Sequence, residues 1–218
     1  MYLQSRGQAG KMIAAQLMEK YRYENCAVVA LSDASVLVAE QIAADLHCVL
    51  TLLLSEKIEI PGEDLTLGSV SQTGEFSYNQ ELTQGEADGY TREFHGYFEE
   101  QKREAFGKLN RLLGDGGTID ADLLRDRVVI LVSDGIAKAN ILDVALTFLK
   151  PIRVEKIVIA APFVSVAAVD VIHVKADDMC ILDVKENYLA TDHYYEDNVV
   201  PDREETIRLI NELIMKWR

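Results

Sequence analysis

The chain has 218 residues, 49% hydrophobic and 27% charged, which is typical of a globular domain and not of a disordered chain. Asp and Glu number 36 against 22 Lys and Arg, so the formal net charge is −14, which argues against nucleic-acid binding and against docking on an anionic membrane. No apolar run is long enough to span a bilayer, and the N-terminus lacks the apolar core of a signal peptide, so we expect a cytoplasmic protein.

Apolar runs that alternate with helical periodicity predict a βαβ architecture. Helical spacing first appears at 8–21 and again over about 36–46, 138–149 and 165–173, and a helix with a cap at Asp202 closes the chain. The apolar runs are short and rich in β-branched residues, as in buried parallel strands. They lie at 26–31, 47–54, 128–132, 156–161 and 179–184. The fold class is therefore α/β, a doubly wound, mainly parallel five-stranded sheet in a single domain over 1–218.

Residues 57–92 break this rhythm, because they are rich in Gly and polar residues with short alternating pieces. We interpret them as a small β-rich flap or hood insertion. Residues 93–113 follow as an amphipathic helix, either packed against its own domain or presented to a protein partner.

Three cysteines, Cys26, Cys48 and Cys180, each lie inside a short apolar run. A metal or redox site would need a Cys-x-x-Cys or Cys/His spacing, and the sequence has none. We interpret them as small buried hydrophobic residues.

The loop after the third strand is where chemistry is expected, since ligands of doubly wound sheets bind at the carboxyl ends of strands. In VVILVSDGIAKANI (128–141), the strand delivers Asp134 to that edge, Gly135 allows a tight turn, and a helix then begins. This is the outline of a phosphate cradle. The alternative is an ordinary loop in which Asp134 and Asn140 only cap a helix.

Taken together, four segments resemble the type I phosphoribosyltransferases, and most closely an uncharacterised bacterial and archaeal branch of that family. In that branch the third-strand motif reads Asp-Asp-Gly-Ile-Ala-Thr-Gly-x-Thr, which Asp134, Gly135, Ile136 and Ala137 match. The other similar segments are 5–17, 55–70 and 193–210. The resemblance implies a phosphoribosyltransferase-like sheet, phosphoribosyl pyrophosphate (PRPP) as substrate, and Mg²⁺ bound with it.

Several residues depart from the pattern that the resemblance implies. Ser133 replaces the first acid of the pair that contacts ribose and magnesium, which leaves Asp134 as the catalytic candidate and the contact for Mg²⁺. The 5′-phosphate loop loses its Thr-Gly-x-Thr, and its residues from Gly135 onward are Gly135, Ile136, Ala137, Lys138, Ala139, Asn140 and Ile141. A Cβ at Ala139 crowds a backbone that must approach phosphate closely, and Ile141 has no hydroxyl.

The pyrophosphate loop departs further. Where the branch has Pro-Arg-Gly-Gly, this chain has Ser32, Asp33, Ala34 and Ser35, so a carboxylate stands where an arginine would neutralise pyrophosphate. Lys57 follows the second strand, where the family often places a cation near pyrophosphate, although a solvated lysine explains it equally well. Tyr188 and Tyr195 fall in the region where the family holds its acceptor base, and the alternative is that they pack the closing loop.

These residues support two functional hypotheses. The first is a phosphoribosyltransferase-like protein with degenerate PRPP loops that acts as a non-catalytic or weakly active binding or regulatory module. The alternative is an active transferase of nucleotide metabolism that moves 5-phosphoribose between PRPP and a nitrogenous base. The expected partners are a small phosphorylated ligand and a second copy or another protein, but neither nucleic acid nor membrane.

Overall fold

A computed structural model describes residues 1–63, 65–79, 82–113 and 120–215. The chain divides into two compact units. The larger unit comprises Met1–Leu52, Asp120–Ala139 and Ile152–Arg218, and the smaller comprises Leu53–Ile119 and Asn140–Pro151. None of the described helices is both long enough and apolar enough to cross a membrane.

The larger unit holds a five-stranded parallel sheet in the order β2-β1-β6-β7-β8. Its strands are β1 (Cys26–Ala30), β2 (Val49–Leu52), β6 (Val128–Val132), β7 (Lys156–Ser165) and β8 (Asp178–Lys185). Every residue of β1 and β6 is buried, which is why these strands read as unbroken apolar runs. The predicted five-stranded parallel sheet is confirmed.

Helices flank this sheet, and they lie where the apolar periodicity of the sequence predicts helices. They are α1 (Arg6–Tyr21), α2 (Asp33–Leu46), α6 (Val166–Lys175) and α7 (Arg203–Met215). Helices α1 and α2 pack closely because Gly10 has no side chain, and a Cβ there would lie 2.5 Å from the carbonyl oxygen of Val38. Asp202 caps α7 by accepting a hydrogen bond from the Glu205 amide, as the sequence predicted.

The second predicted strand, 47–54, is longer than the observed β2. Leu54 leaves the sheet because its amide donates to the Gln72 side chain at 2.8 Å, and its carbonyl accepts from the Gln72 amide at 3.0 Å. Both residues belong to the smaller unit.

The smaller unit contains a three-stranded antiparallel sheet, which occupies the part of the sequence where the insertion was predicted. Its strands are β3 (Ser55–Glu59), β4 (Thr66–Ser71) and β5 (Phe76–Tyr78), and its helices are α3 (Gln84–Glu93), α4 (His95–Leu113) and α5 (Ile141–Leu149). Positions 64, 80 and 81 of the predicted 57–92 insertion lie outside the described residues.

Two features of this unit differ from the sequence analysis. The predicted β-rich segment 57–92 contains a helix, α3, with a full capping box in which Thr83 and Glu86 bond reciprocally. The predicted amphipathic helix 93–113 begins only at His95, as α4, and it packs on β3 and β4 with Phe98, Ala105 and Leu109 buried.

The three cysteines are buried and unpaired. Burial raises the pKa of Cys26 to about 11, that of Cys48 to about 12 and that of Cys180 to about 11. Their thiols are therefore protonated at neutral pH.

Candidate active site

The turn after β6 is closed by its own serine. The Ser133 hydroxyl donates to the Gly135 carbonyl at 2.9 Å and accepts from the Gly135 amide at 3.3 Å. Ser133 is buried, so its hydroxyl is used within the turn. The residue at the position of the family's first acid therefore shapes the backbone that carries Asp134.

Asp134 is buried and forms an ion pair with Arg6, the first residue of α1. The Nε atom of Arg6 donates to Oδ2 of Asp134 at 2.8 Å, and the Arg6 side chain is only 2% exposed. A second guanidinium nitrogen donates to Asp192 at 2.5 Å, and a third donates to Asn198 at 3.3 Å. The guanidinium also lies over the ring of Tyr195, 4.6 Å from its centroid.

The environment of Arg6 keeps it charged. Burial by itself would lower the pKa of Arg6, but the hydrogen bond and the negative charge of Asp134, together with Asp192, outweigh it and raise that pKa. The pair with Asp134 is therefore ionic, and the guanidinium holds the carboxylate in place.

The remaining polar atoms of Asp134 also have partners inside the larger unit. Ser35 donates its hydroxyl to Oδ1 of Asp134 at 3.4 Å, and the Tyr195 hydroxyl donates to the Asp134 carbonyl at 2.7 Å. Burial and the nearby Asp134 raise the pKa of Tyr195, so its hydroxyl stays a donor. We call the set of Arg6, Ser35, Asp134 and Tyr195 the Asp134 cluster.

The loop after β1 forms a second ion pair. Ser32 caps α2 by accepting from the Ser35 amide at 3.1 Å, and Ala34 follows as a half-buried residue of α2. Asp33 accepts from the guanidinium of Arg203 in α7 at 2.7 Å, with side chains 26% and 16% exposed respectively. The carboxylate predicted to repel pyrophosphate is thus neutralised by an arginine of the same unit.

Tyr188 lies against the turn at Gly135. Its hydroxyl shares a hydrogen bond with Thr191 at 3.0 Å, and burial raises its pKa to about 12. A Cβ on Gly135 would collide with this hydroxyl and would lie 2.7 Å from Cγ2 of Thr191. Of the two tyrosines predicted in the base region, Tyr188 is half-buried beside the turn, whereas Tyr195 is buried under Arg6.

The rest of the predicted phosphate loop divides between the units. Ile136 bridges to Val164, and the Ala137 carbonyl accepts from the Ser165 hydroxyl at 2.7 Å. Lys138 is exposed and Ala139 is buried, and these are the last loop residues of the larger unit.

Asn140 precedes α5 and Ile141 is its first residue, and both belong to the smaller unit. Asn140 occupies the N-cap position, but its side chain makes no capping hydrogen bond, contrary to the capping interpretation. Lys57 lies on β3 in the same smaller unit.

Residues 2–196 match the family model described as phosphoribosyl transferase domain. The chain belongs to this family.

Solved structures of other proteins are similar to this chain over most of their length. TT1426 from Thermus thermophilus has 23% sequence identity and a TM-score of 0.75, over 98% of this chain and 99% of that one. A purine phosphoribosyltransferase from Pyrococcus horikoshii has 14% identity and a TM-score of 0.49, over 92% and 95%. A hypoxanthine phosphoribosyltransferase from Staphylococcus aureus has 13% identity and a TM-score of 0.45, over 86% and 85%.

The residues of this site do not supply the ligands that would hold the Mg²⁺ that the family uses with PRPP. Mg²⁺ requires oxygen ligands in near-octahedral geometry, usually including one or two carboxylates. The position of the first acid holds Ser133, and the Asp134 carboxylate is bound to Arg6 and Ser35. Among the described residues, no three His, Cys, Asp or Glu side chains group as a metal site.

Sequence reasoning did not find the partners of the two acids. Arg6 matched the opening motif of the family branch, but no local pattern linked it to Asp134, which is 128 positions away. Arg203 follows the Asp202 cap and reaches Asp33 across 170 positions. The available signal in each case was an arginine in line with the apolar residues of its helix.

Proposed function

We propose that this phosphoribosyl transferase domain protein is a non-catalytic or weakly active binding or regulatory module. The observation that carries the proposal is the buried ion pair between Arg6 and Asp134. A carboxylate that contacts ribose hydroxyls needs open acceptor positions, and here Arg6 and Ser35 each occupy one on the Asp134 carboxylate. Displacing Arg6 would leave a guanidinium that is 2% exposed without its main counter-ion, and breaking a buried pair costs about 3–5 kcal/mol.

The pyrophosphate loop supports the same proposal. Pyrophosphate is bound by unbalanced positive charge, and one cation about 4 Å away contributes roughly 4 kcal/mol at an effective dielectric of 20. Asp33 and Arg203 together carry no net charge at the corresponding position. The anchor that PRPP would need is therefore neutralised within the chain.

The alternative is an active enzyme that transfers 5-phosphoribose between PRPP and a nitrogenous base, a pentosyl transfer. The retained run Asp134-Gly135-Ile136-Ala137 favours it, as does the half-buried Tyr188 beside this turn. In this alternative, Mg²⁺ would enter bound to PRPP, as part of the substrate.

Calorimetry with PRPP and Mg²⁺ tests the proposal. We expect no dissociation constant tighter than about 1 mM, or roughly −4 kcal/mol, for the natural chain. A micromolar constant, roughly −8 kcal/mol, would contradict the proposal. Pyrophosphate release from PRPP that requires an added nucleobase would establish the alternative.

A repaired variant separates lost loop chemistry from lost geometry. It carries Ser133→Asp, Lys138→Thr, Ala139→Gly and Ile141→Thr, which restore the first acid of the pair, the close backbone approach and the hydroxyls. The control has Ser133→Asn in place of Ser133→Asp, so that it differs by one charge. We expect PRPP with Mg²⁺ to raise the melting temperature of the repaired variant more than that of the control or the natural chain.

A further inference from the structure

One edge of the parallel sheet is formed by a long strand. Strand β8 (Asp178–Lys185) has eight residues and pairs with β7 along one side, and no strand of the described residues lies on its other side. The opposite edge strand, β2, has only four residues. Residues 179–182 of β8 are Met, Cys, Ile and Leu, and of these only Cys180 is buried. An uncharged edge of this length is a template on which another strand can pair.

The backbone groups of this edge point away from the sheet. The Asp177 amide donates to the Ile157 carbonyl at 2.9 Å, so alternate residues from Asp177 onward bond to β7. The amides and carbonyls of Cys180, Leu182 and Val184 therefore face outward. Proteins protect such edges with proline or with a bulge, but β8 has no proline or glycine and its register with β7 is unbroken. The edge thus keeps the geometry that a further strand needs.

A second copy of this chain fits the edge by charge. A strand that meets its own copy across a twofold axis perpendicular to the sheet pairs antiparallel, and residues on the same face of the sheet become partners. With Ile181 on the axis, Asp177 lies opposite Lys185 of the second copy, and symmetry repeats this contact at the other end. Opposite charges at directly paired positions stabilise a sheet, and the centre of the pairing is apolar.

The neighbouring registers bring acids together. An axis one residue after Ile181 would place Asp178 opposite Glu186, and an axis one residue before it would place Asp177 opposite Asp183. Like charges that are directly opposite destabilise a sheet. The acids on the strand also have partners within the chain, since Lys20 pairs with Asp178 and Lys185 pairs with Asp183. The chain's net charge of −14 is therefore not concentrated at this edge.

The helices beside the edge are spaced for the same pairing. Helices α1 and α6 each pack on both β7 and β8, so the axis of each helix lies between these two strands. With strands about 4.8 Å apart, a sheet continued through β8 places each helix about 10 Å from its own copy, which is the distance between packed helices. The exposed side chains of α6 include Val166, Val171 and Val174. Helix packing would therefore add apolar contact to the strand pairing.

We propose that the β8 strands of two copies pair antiparallel about a twofold axis at Ile181, so that the chain forms a dimer with one continuous sheet. Twofold pairing uses both edges and closes the assembly, whereas an open edge would recruit further chains. Strand β8 and helices α1 and α6 belong to the larger unit, and no residue of β8 is in the Asp134 cluster. The inference therefore does not depend on the proposed function.

Sedimentation equilibrium on the full chain tests the dimer. We expect a mass of twice 24.4 kDa at about 100 µM. Val184→Pro removes an outward amide from an exposed position without breaking the pairing with β7, and should weaken dimerisation by at least about tenfold because symmetry removes two hydrogen bonds. Val184→Ala keeps the amide and should leave dimerisation close to that of the natural chain. A monomer at this concentration, or equal effects of the two variants, would overturn the proposal.

Cross-linking tests the register and keeps the proposal falsifiable if Val184→Pro disturbs folding. In the proposed register, residue 181 faces its own copy with Cβ atoms about 5 Å apart, within reach of a disulfide. Oxidised glutathione should therefore link Ile181→Cys into a covalent dimer on a non-reducing gel. Met179→Cys lies on the same face but opposite Asp183 of the second copy, so it should stay unlinked, as should the natural chain with its buried Cys180. An unlinked Ile181→Cys, or equal linking of the two variants, would overturn the proposal.

Discussion

Replacing Arg6 with methionine should destabilise the protein more than any exposed arginine replacement. Methionine approximates the length of the aliphatic stem but removes the partner of a buried carboxylate. Among the described residues, the Asp134 carboxylate would keep only the longer Ser35 hydrogen bond of 3.4 Å. Breaking a buried pair in this way costs about 3–5 kcal/mol. At about 2–4 °C per kcal/mol for a chain of this size, the melting temperature should fall by about 6–20 °C.

A double-mutant cycle separates the ion pair from the loss of packing. Thermal and urea unfolding would be measured for Arg6→Met, Asp134→Asn and the double variant, and we expect the double variant to lose about 2 kcal/mol less than the sum of the single losses. Arg125→Met is the matched control, because Arg125 pairs with Asp122 at 3.1 Å with both side chains more than half exposed. A cost for Arg6→Met no larger than that of the control, or strict additivity in the cycle, would refute the reasoning.

Two further predictions concern the larger unit. Gly135→Ala should cost about 1–3 kcal/mol in urea unfolding, because its Cβ would collide with the Tyr188 hydroxyl, whereas Gly107→Ala on α4, with open space around it, should be neutral or stabilising. For Asp178, burial raises the pKa, but hydrogen bonds from Lys20 and Tyr21 outweigh it and hold that pKa below its ordinary value. The stabilisation by Asp178 is therefore complete above the unfolded-state pKa of about 4 and is lost as pH falls toward the folded-state value. Asp178→Asn should flatten the loss of stability below pH ~4 in acid unfolding, and an unchanged slope would show that Asp178 does not contribute to it.

The sheet could be predicted from the sequence because a strand that is buried on both faces has apolar residues at consecutive positions. The strands β1 and β6 are buried at every position, so each appears as a continuous run of apolar, mostly β-branched residues. Helix α3 was missed because Gly85 and Gly89 weaken its helical pattern, although Thr83 and Glu86 carried a readable capping box. The order of the parallel strands was not predicted, since periodicity alone does not specify which strands are neighbours.

The candidate site could be predicted only in part, because its charge depends on ion pairs between residues that are far apart in the sequence. Asp134 and the altered loops were readable from motif positions. Their electrostatic state was not, since Arg6 and Arg203 lie 128 and 170 positions from the acids that they bind. Those partners change the charge that a ligand would meet. An unpaired Asp33 would repel a phosphate, whereas the pair of Asp33 and Arg203 has no net charge.

The two ion pairs have a common consequence for ligand choice. A site that binds a highly charged substrate holds charge in excess, which the substrate neutralises on binding. In the larger unit, the guanidinium groups of Arg6 and Arg203 are already paired with Asp134 and Asp33, so neither is an unpaired cation for a substrate. Under the proposed function, PRPP gains its contacts only by breaking one of these pairs, and the cost of a broken buried pair is similar to the gain from one new cation contact. A ligand with little charge avoids that cost, so the proposal predicts that the site favours a neutral or weakly charged ligand over PRPP.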